Sequence, residues 1–197
     1  TGYNAVADDW YGITPGTDGL LVLALIHCLI AAGRIDLDYL ARWTNAPCLI
    51  EEVAGEEKGL LIRDDLGKAL VMDRASGDLV PFDTPGVRPD LGATHRGCRT
   101  VFAHMVERYL KPEVAPEAVA DRCGIPATRI RGLAAEIADV AFNRTVTIDR
   151  PWTDFRGQRH ESMVGRPVSF HAMRGISAHS NGFQTARALH VLQILLG

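Results

Sequence analysis

The sequence predicts an α/β chain with a small antiparallel β insertion, and three observations carry that reading. Near the C-terminus the run Pro167-Val168-Ser169-Phe170-His171-Ala172 looks like a strand, and it feeds a loop of small and polar residues that opens an apolar helix. Near the N-terminus Thr14-Pro15-Gly16-Thr17-Asp18-Gly19 is a turn that opens a second apolar helix. Between them, residues 45–95 are punctuated by glycine and proline. Loops that lead into helix N-termini are where α/β chains hold anionic cofactors: small residues admit the ligand, and unpaired amides point at phosphate.

Taken in order, residues 1–14 read as a connection after a strand that precedes this chain. Thr17 or Asp18 is expected to cap the next helix by accepting from a first-turn amide. Leu20, Leu23, Ala24, His27, Cys28 and Ala31 follow helical spacing within residues 20–32, although the segment is apolar nearly all round. Gly33 ends it, as glycine commonly does. Asp36 opens a short helix over 37–43. In 45–95 the stretches 59–63 and 69–73 read as strands, with turns at Asp65-Leu66-Gly67-Lys68 and Ala75-Ser76-Gly77-Asp78.

Helical character returns over 98–109. Ala115-Pro116-Glu117 starts a short helix with proline in its first turn. A turn at Gly124-Ile125-Pro126 leads to a helix over 127–140, whose apolar positions are Ile130, Leu133, Ala134, Ile137, Ala138 and Ala141. Residues 142–152 read as strand and connection, Phe155-Arg156-Gly157-Gln158 as a turn, and 183–196 as a helix with a broad apolar face on which His190 is packed.

Composition narrows the function. The 197 residues are 47% hydrophobic and 23% charged, ordinary globular values for one domain with an insertion or for two small domains. No apolar run reaches the ~18 residues of a membrane span. The net charge of −3 argues against general nucleic-acid affinity, and the helix-turn-helix look of 116–140 carries too little basic charge to read a groove. The charge is uneven: residues 151–197 hold two acids and five arginines, which suits an anionic ligand there. Cys28, Cys48, Cys98 and Cys123 are widely spaced, with no C-x-x-C, so zinc and iron–sulfur patterns are absent and all four read as thiols. Cys28 reads as a small core residue.

Two motifs carry chemistry. Pro15-Gly16-Thr17-Asp18 combines a tight turn with a hydroxyl, a carboxylate and a helix start. It is either a plain N-cap or a place where an acceptor-only carboxylate takes N–H groups from a guanine edge. Met173-Arg174-Gly175-Ile176-Ser177-Ala178-His179-Ser180-Asn181-Gly182 offers close backbone approach at Gly175, a phosphate partner in Arg174, and donors and acceptors in Ser177, His179 and Asn181. A turn without ligand could also use the glycine and asparagine. No P-loop and no Ser–His–Asp pattern is present.

At these residues the chain resembles the catalytic subunits of the dimethyl sulfoxide reductase family, which carry molybdenum or tungsten on two molybdopterin guanine dinucleotides. Three blocks match in the family's order. They are Asp8-Asp9-Trp10 with Ile13 to Leu20; Ala115 to Ala120 with Cys123-Gly124-Ile125-Pro126, Ile130 and Leu133-Ala134; and Met173 to Gly182 with Ala186-Arg187-Ala188-Leu189 and Leu195-Leu196-Gly197. The segment 45–95 and the block from Trp152-Thr153-Asp154 to Gly165-Arg166-Pro167 look most like the thiosulfate and polysulfide reductase branch with its sulfite-oxidising relatives.

The resemblance implies a partial three-layer, Rossmann-like dinucleotide-binding domain with a parallel sheet, residues 1–44 and 96–197, carrying the β-rich insertion 45–95. It implies that Gly16, Thr17 and Asp18 serve one guanine dinucleotide. Arg174, Gly175, Ser177, His179, Asn181 and Gly182 would serve the second. The whole enzyme would carry out two-electron redox of a small sulfur-type substrate, with an iron–sulfur cluster in a preceding region. Its implied partners are an iron–sulfur subunit for electron transfer and a membrane anchor, on the cytoplasmic or periplasmic face of a prokaryotic membrane. The family's iron–sulfur cysteines, its metal-ligating residue and its closing barrel are absent from this sequence. The chain is therefore expected to be a piece of a longer polypeptide, to hold no metal and to be inactive alone. The rival from another class is a non-catalytic Rossmann-like nucleotide-binding or interaction module.

Overall fold

The computed structural model describes residues 5–52, 59–154 and 157–197. The chain divides into two compact units, residues 1–35 with 112–196, and residues 36–111. These limits are wider than the 45–95 segment marked by composition. The reason is that helices on either side join the strands: the Val101 amide bonds the Cys48 carbonyl at 2.9 Å, and the Phe102 amide bonds that of Ala46 at 2.8 Å.

The first unit is built on α1 (Asp18–Ala31), which is surrounded by α4 (Pro116–Cys123), α5 (Ala127–Asn143) and α6 (Gly182–Leu196). Its all-round apolar sequence fits that central place: Val22, Ala24, Leu25, Ile26, Leu29 and Ile30 are buried. Helix α5 buries Ile130, Ala134, Ala138 and Ala141, at the spacing read from the sequence, while Leu133 and Ile137 are half-buried. Helix α6 buries Ala188, Leu192, Leu195 and Leu196. His190 is exposed rather than packed, because it falls on the opposite side of α6 from those four. Gly33 ends α1 at a φ of +63°, and Gly124 ends α4 in the left-handed region at +71°.

Before α6 the chain forms two antiparallel pairs. Strand β6 (Val146–Ile148) pairs with β9 (Met163–Gly165), and β7 (Trp152–Thr153) with β8 (Arg159–His160). The Trp152 and His160 rings stack at 4.7 Å, and His160 Nε2 lies 3.1 Å from the Asp154 carboxylate. The turn expected over 155–158 closes with the Gly157 amide on the Asp154 carbonyl at 3.0 Å; Phe155 and Arg156 lie outside the described residues. Two guanidinium groups lie over the Phe142 ring, Arg34 at 5.4 Å and Arg166 at 4.8 Å from its centre, and Arg166 also donates to the Leu196 carbonyl at the end of α6.

Residues 167–172 are not a strand. Their backbone runs beside no described strand, and apolar alternation without a ladder partner makes no sheet. Every strand pair among the described residues is antiparallel.

In the second unit α2 (Leu37–Trp43) starts where Asp36 accepts from the Tyr39 amide at 2.8 Å. Strands β1 (Leu49–Ile50), β5 (Cys98–Thr100) and β4 (Thr94–His95) form one sheet in that order, and β2 (Leu70–Met72) pairs with β3 (Leu79–Pro81). Residues 59–63 contribute only single bridges, Leu61 to Ile50 and Arg63 to Ala69. Helix α3 (Val101–Tyr109) begins three residues later than its sequence suggests. Residues 98–100 pair with β1 and β4, and the buried Thr100 hydroxyl both donates to Leu91 O at 2.6 Å and accepts from the Ala103 amide. Arg99 reaches the Glu52 carboxylate twice, at 2.8 and 2.7 Å, and Glu107 at 2.9 Å. Among the described residues no helix is long and apolar enough to cross a membrane.

Candidate functional site

The first unit brings the two motifs together. The turn before α1 is fixed from α4: the Thr14 amide bonds the Cys123 carbonyl at 2.9 Å, beside the Gly124 cap. The Thr14 carbonyl then accepts from both the Thr17 amide at 3.2 Å and the Thr17 hydroxyl at 2.7 Å. Thr17 is therefore not the expected side-chain acceptor for α1, because its hydroxyl donates backwards instead, and Asp18 is the first helical residue. Gly16 takes a φ of +81°, the conformation that lets the chain turn at that point.

The loop from 173 to 182 is two tight turns. A 3-10 helix, Arg174–Ser177, is closed by the Ile176 amide on Met173 O at 3.1 Å, and the Gly182 amide bonds His179 O at 2.9 Å as α6 begins. The Ser177 hydroxyl donates to the Arg174 carbonyl at 3.0 Å. Gly182 is buried against the Ser177 backbone, where any Cβ would collide, so packing alone accounts for glycine there.

A cavity of about 560 Å³ lies between the two motifs. Asp18 forms one side. Gly175, His179, Ser169, Phe170, His171, Ala172, Met173, Ile176 and Leu189 form the rest. Of the residues singled out in the sequence, Asp18, Gly175 and His179 line it. Asn181 reaches across, donating from Nδ2 to the Gly16 carbonyl at 3.3 Å. Arg174 and Ser177 are exposed and Thr17 half-buried, and none of the three is on its wall. Sequence reasoning missed Ser169, Phe170, His171 and Leu189, which it gave to a strand and to a helix core. Two imidazoles bracketing a glycine loop were the available signal.

The cavity has the size and mixed chemistry of a small-molecule site. The volume lies within the ~300–1,000 Å³ of small-molecule sites. The wall mixes an aromatic ring, two imidazoles, a hydroxyl and a carboxylate. At Gly175 a Cβ would meet nothing within 4 Å, and its φ lies outside the left-handed region. Neither packing nor backbone conformation demands glycine at that point on the wall, which leaves the backbone there open to close approach.

Nearby, Asp9 pairs with Arg129 at 2.6 Å, and the guanidinium lies 4.3 Å from the Tyr11 ring centre. Arg129 holds the Asp9 carboxyl below its ordinary range, while desolvation and the adjacent Asp9 push the Tyr11 phenol up. A second cavity of about 580 Å³ runs along α1 and α5, lined by small side chains with Cys28, Arg34 and Arg131. Cys28 is half-buried there rather than fully in the core, and desolvation raises its thiol pKa. The four cysteines are free thiols. Among the described residues no three His, Cys, Asp or Glu side chains cluster as metal ligands.

Comparison with known proteins gives this geometry its context. No family model matches the chain. It is 39% identical to a sulfite dehydrogenase subunit of Allochromatium vinosum, over 215 aligned positions that cover all of this chain and 22% of that protein. The chain belongs to the molybdopterin oxidoreductases. Within them it is also 24% identical to the major subunit of the nitrate-inducible formate dehydrogenase of Escherichia coli, across 98% of the chain and 16% of that protein. The major subunit of formate dehydrogenase-O from the same organism is 25% identical over the same share. The chain thus spans about a fifth of the length of these oxidoreductase relatives, each named as one subunit of an assembly. Its higher identity is to a sulfite dehydrogenase, and sulfite-oxidising relatives are part of the thiosulfate and polysulfide reductase branch that residues 45–95 and 152–167 resemble.

Proposed function

We propose that this chain is part of the cofactor-holding region of a molybdenum oxidoreductase catalytic subunit, contributing to the site of a bis-molybdopterin guanine dinucleotide. The observation that carries the reading is the shared cavity: Asp18 and the 169–179 wall face one space, although they lie some 150 positions apart in the sequence. Asp18 accepts from the N–H groups of a guanine edge, as an acceptor-only group can. His171, His179 and the first amides of α1 face the diphosphate of a dinucleotide. Phe170, Met173 and Leu189 keep water from the flat faces of the ligand. The region would belong to a partial Rossmann-like domain, with α1 and α6 as adjacent helices that open on one ligand.

When bound, the cofactor supplies two-electron redox at molybdenum or tungsten, and this chain supplies position and electrostatics. For the whole enzyme we infer a small sulfur oxyanion as substrate, from the identity to a sulfite dehydrogenase subunit. An iron–sulfur cluster in a preceding region, a partner subunit with iron–sulfur centres, and a membrane anchor complete the proposed electron path. The chain alone is proposed to be inactive.

The test is to express the longer reading frame around this chain, purify the protein and assay released guanine nucleotide together with molybdenum and tungsten. Guanine nucleotide in molar excess over metal is expected. A protein that carries no pterin, while the chain by itself saturates with GDP at micromolar concentration, would instead be a self-contained nucleotide-binding module.

A further inference from the structure

We propose that Asn181 is a positioning residue. It latches the 174–182 loop onto the turn before α1, so that the two walls of the cavity stand at a fixed separation before any ligand arrives. The inference rests on reading the cavity as a guanine nucleotide site, but its structural half stands on geometry alone.

Asn181 joins three elements at once. Its Nδ2 donates to the Gly16 carbonyl at 3.3 Å, across 165 residues of sequence. Its own carbonyl accepts from the Thr185 amide at 3.0 Å and from the Thr185 hydroxyl at 3.2 Å, which fixes the first turn of α6. Thr185 in turn lies against Gly19 in the first turn of α1. The carbonyl that Asn181 grips lies two residues before Asp18, on one wall. Gly175 and His179, on the other wall, lie a few residues before Asn181.

The loop is otherwise held mainly by turns of its own backbone. Without the latch, ordering it falls to the ligand and weakens binding; with the latch, that cost is met in folding. This assigns Asn181 a different role from the direct cofactor contact that its motif suggests. It acts through Gly16, by holding Asp18 opposite His179.

The experiment is hydrogen–deuterium exchange on the purified protein, with and without GDP, for wild type, Asn181→Asp and Asn181→Gln. Asp keeps the shape, removes the donor and sets an anionic oxygen against the Gly16 carbonyl. Gln restores a carboxamide donor on a longer arm. In Asn181→Asp, the amides of 16–18 and of 175–181 are expected to exchange faster together, by about three- to tenfold, the scale of one neutral hydrogen bond. Amides in the middle of α5 should be unchanged. GDP affinity should fall by a similar factor, and Gln should recover part of both effects. Faster exchange confined to 179–185, or no change in either segment, would overturn the latch and leave Asn181 as a cap of α6. If the two segments respond together but wild type binds no GDP, the latch stands and the guanine reading falls.

Discussion

Gly19 and Thr185 meet where α1 begins and α6 completes its first turn. A β-carbon on Gly19 would stand 2.8 Å from Thr185 Oγ1 and 3.6 Å from its Cβ. Thr185 is buried, and its hydroxyl is engaged with the Asn181 carbonyl. The two helix starts can therefore lie this close only because one of them carries no side chain.

Gly19→Ala separates packing from propensity. Alanine is the better helix former by up to ~1 kcal/mol, so an unpacked first turn would gain stability. Here the added methyl must push against a β-branched residue in a filled site, an overpacking that typically costs ~1–3 kcal/mol. We expect net destabilisation of about 1 kcal/mol by urea denaturation. Gly19→Ala combined with Thr185→Ala should cost less than the sum of the two single changes, since the pair touches. A stabilised Gly19→Ala would mean that the helix starts are not in contact.

The elements most legible in the sequence were those whose local signals agree with their packing. The Asp36 cap, the proline at the start of α4, the Gly33 and Gly124 ends and the 3.6-residue spacing of α5 are all local chemistry. What escaped depended on partners distant in the chain. Residues 98–100 look helical alone, but β1 and β4 pair with them on either side. Residues 167–172 alternate like a strand, yet no described strand lies alongside. At the candidate site the two motifs were visible as small and polar runs. Which side chains face the cavity was not, because a loop has no period from which to read a face: the Ser177 hydroxyl bonds back to Arg174 O off the wall, and His171 forms part of the wall.

Acid should destabilise the protein through several surface carboxylates together. Arg129 lowers the Asp9 pKa, Arg131 that of Glu117, Asn143 followed by Arg144 that of Asp139, Lys68 that of Asp83, and the Arg88 amide that of Asp73. A carboxyl whose folded pKa lies below its unfolded one stabilises the fold above the unfolded pKa. It loses that contribution as pH falls through the folded value. The melting temperature is therefore expected to hold from neutrality to about pH 5 and to fall below about pH 4, where ordinary carboxyls protonate. Asp9, Asp83 and Glu117 are exposed and Asp73 and Asp139 half-buried, so all five stay within reach of solvent and added salt should shrink the effect. Glu117→Gln should flatten part of the acid slope, and an unchanged slope would mean that the Arg131 pair is not formed in solution. Lys68 has the opposite sign: Asp83 raises its pKa, so its contribution is present below its unfolded pKa and is lost only in strong alkali.

Asp18→Asn tests the guanine assignment most directly. As the first residue of α1 the carboxylate also favours the helix dipole, by only ~0.3–1 kcal/mol at an exposed end, so folding should survive the change. Ligand recognition should not. A guanine edge presents adjacent N–H donors, which Asp can accept with both oxygens, whereas Asn turns one of those positions into a donor facing a donor. Losing a hydrogen bond to a charged group costs ~1.5–3 kcal/mol, which is about ten- to a hundredfold in affinity for GDP. Xanthine carries a carbonyl where guanine carries its amine, so the carboxamide of the variant finds an acceptor there. For Asp18→Asn, calorimetric titration is expected to give tighter binding of xanthosine diphosphate than of GDP, the reverse of wild type. Unchanged GDP affinity in the variant would remove Asp18 from the base edge and leave it as a helix-terminal charge.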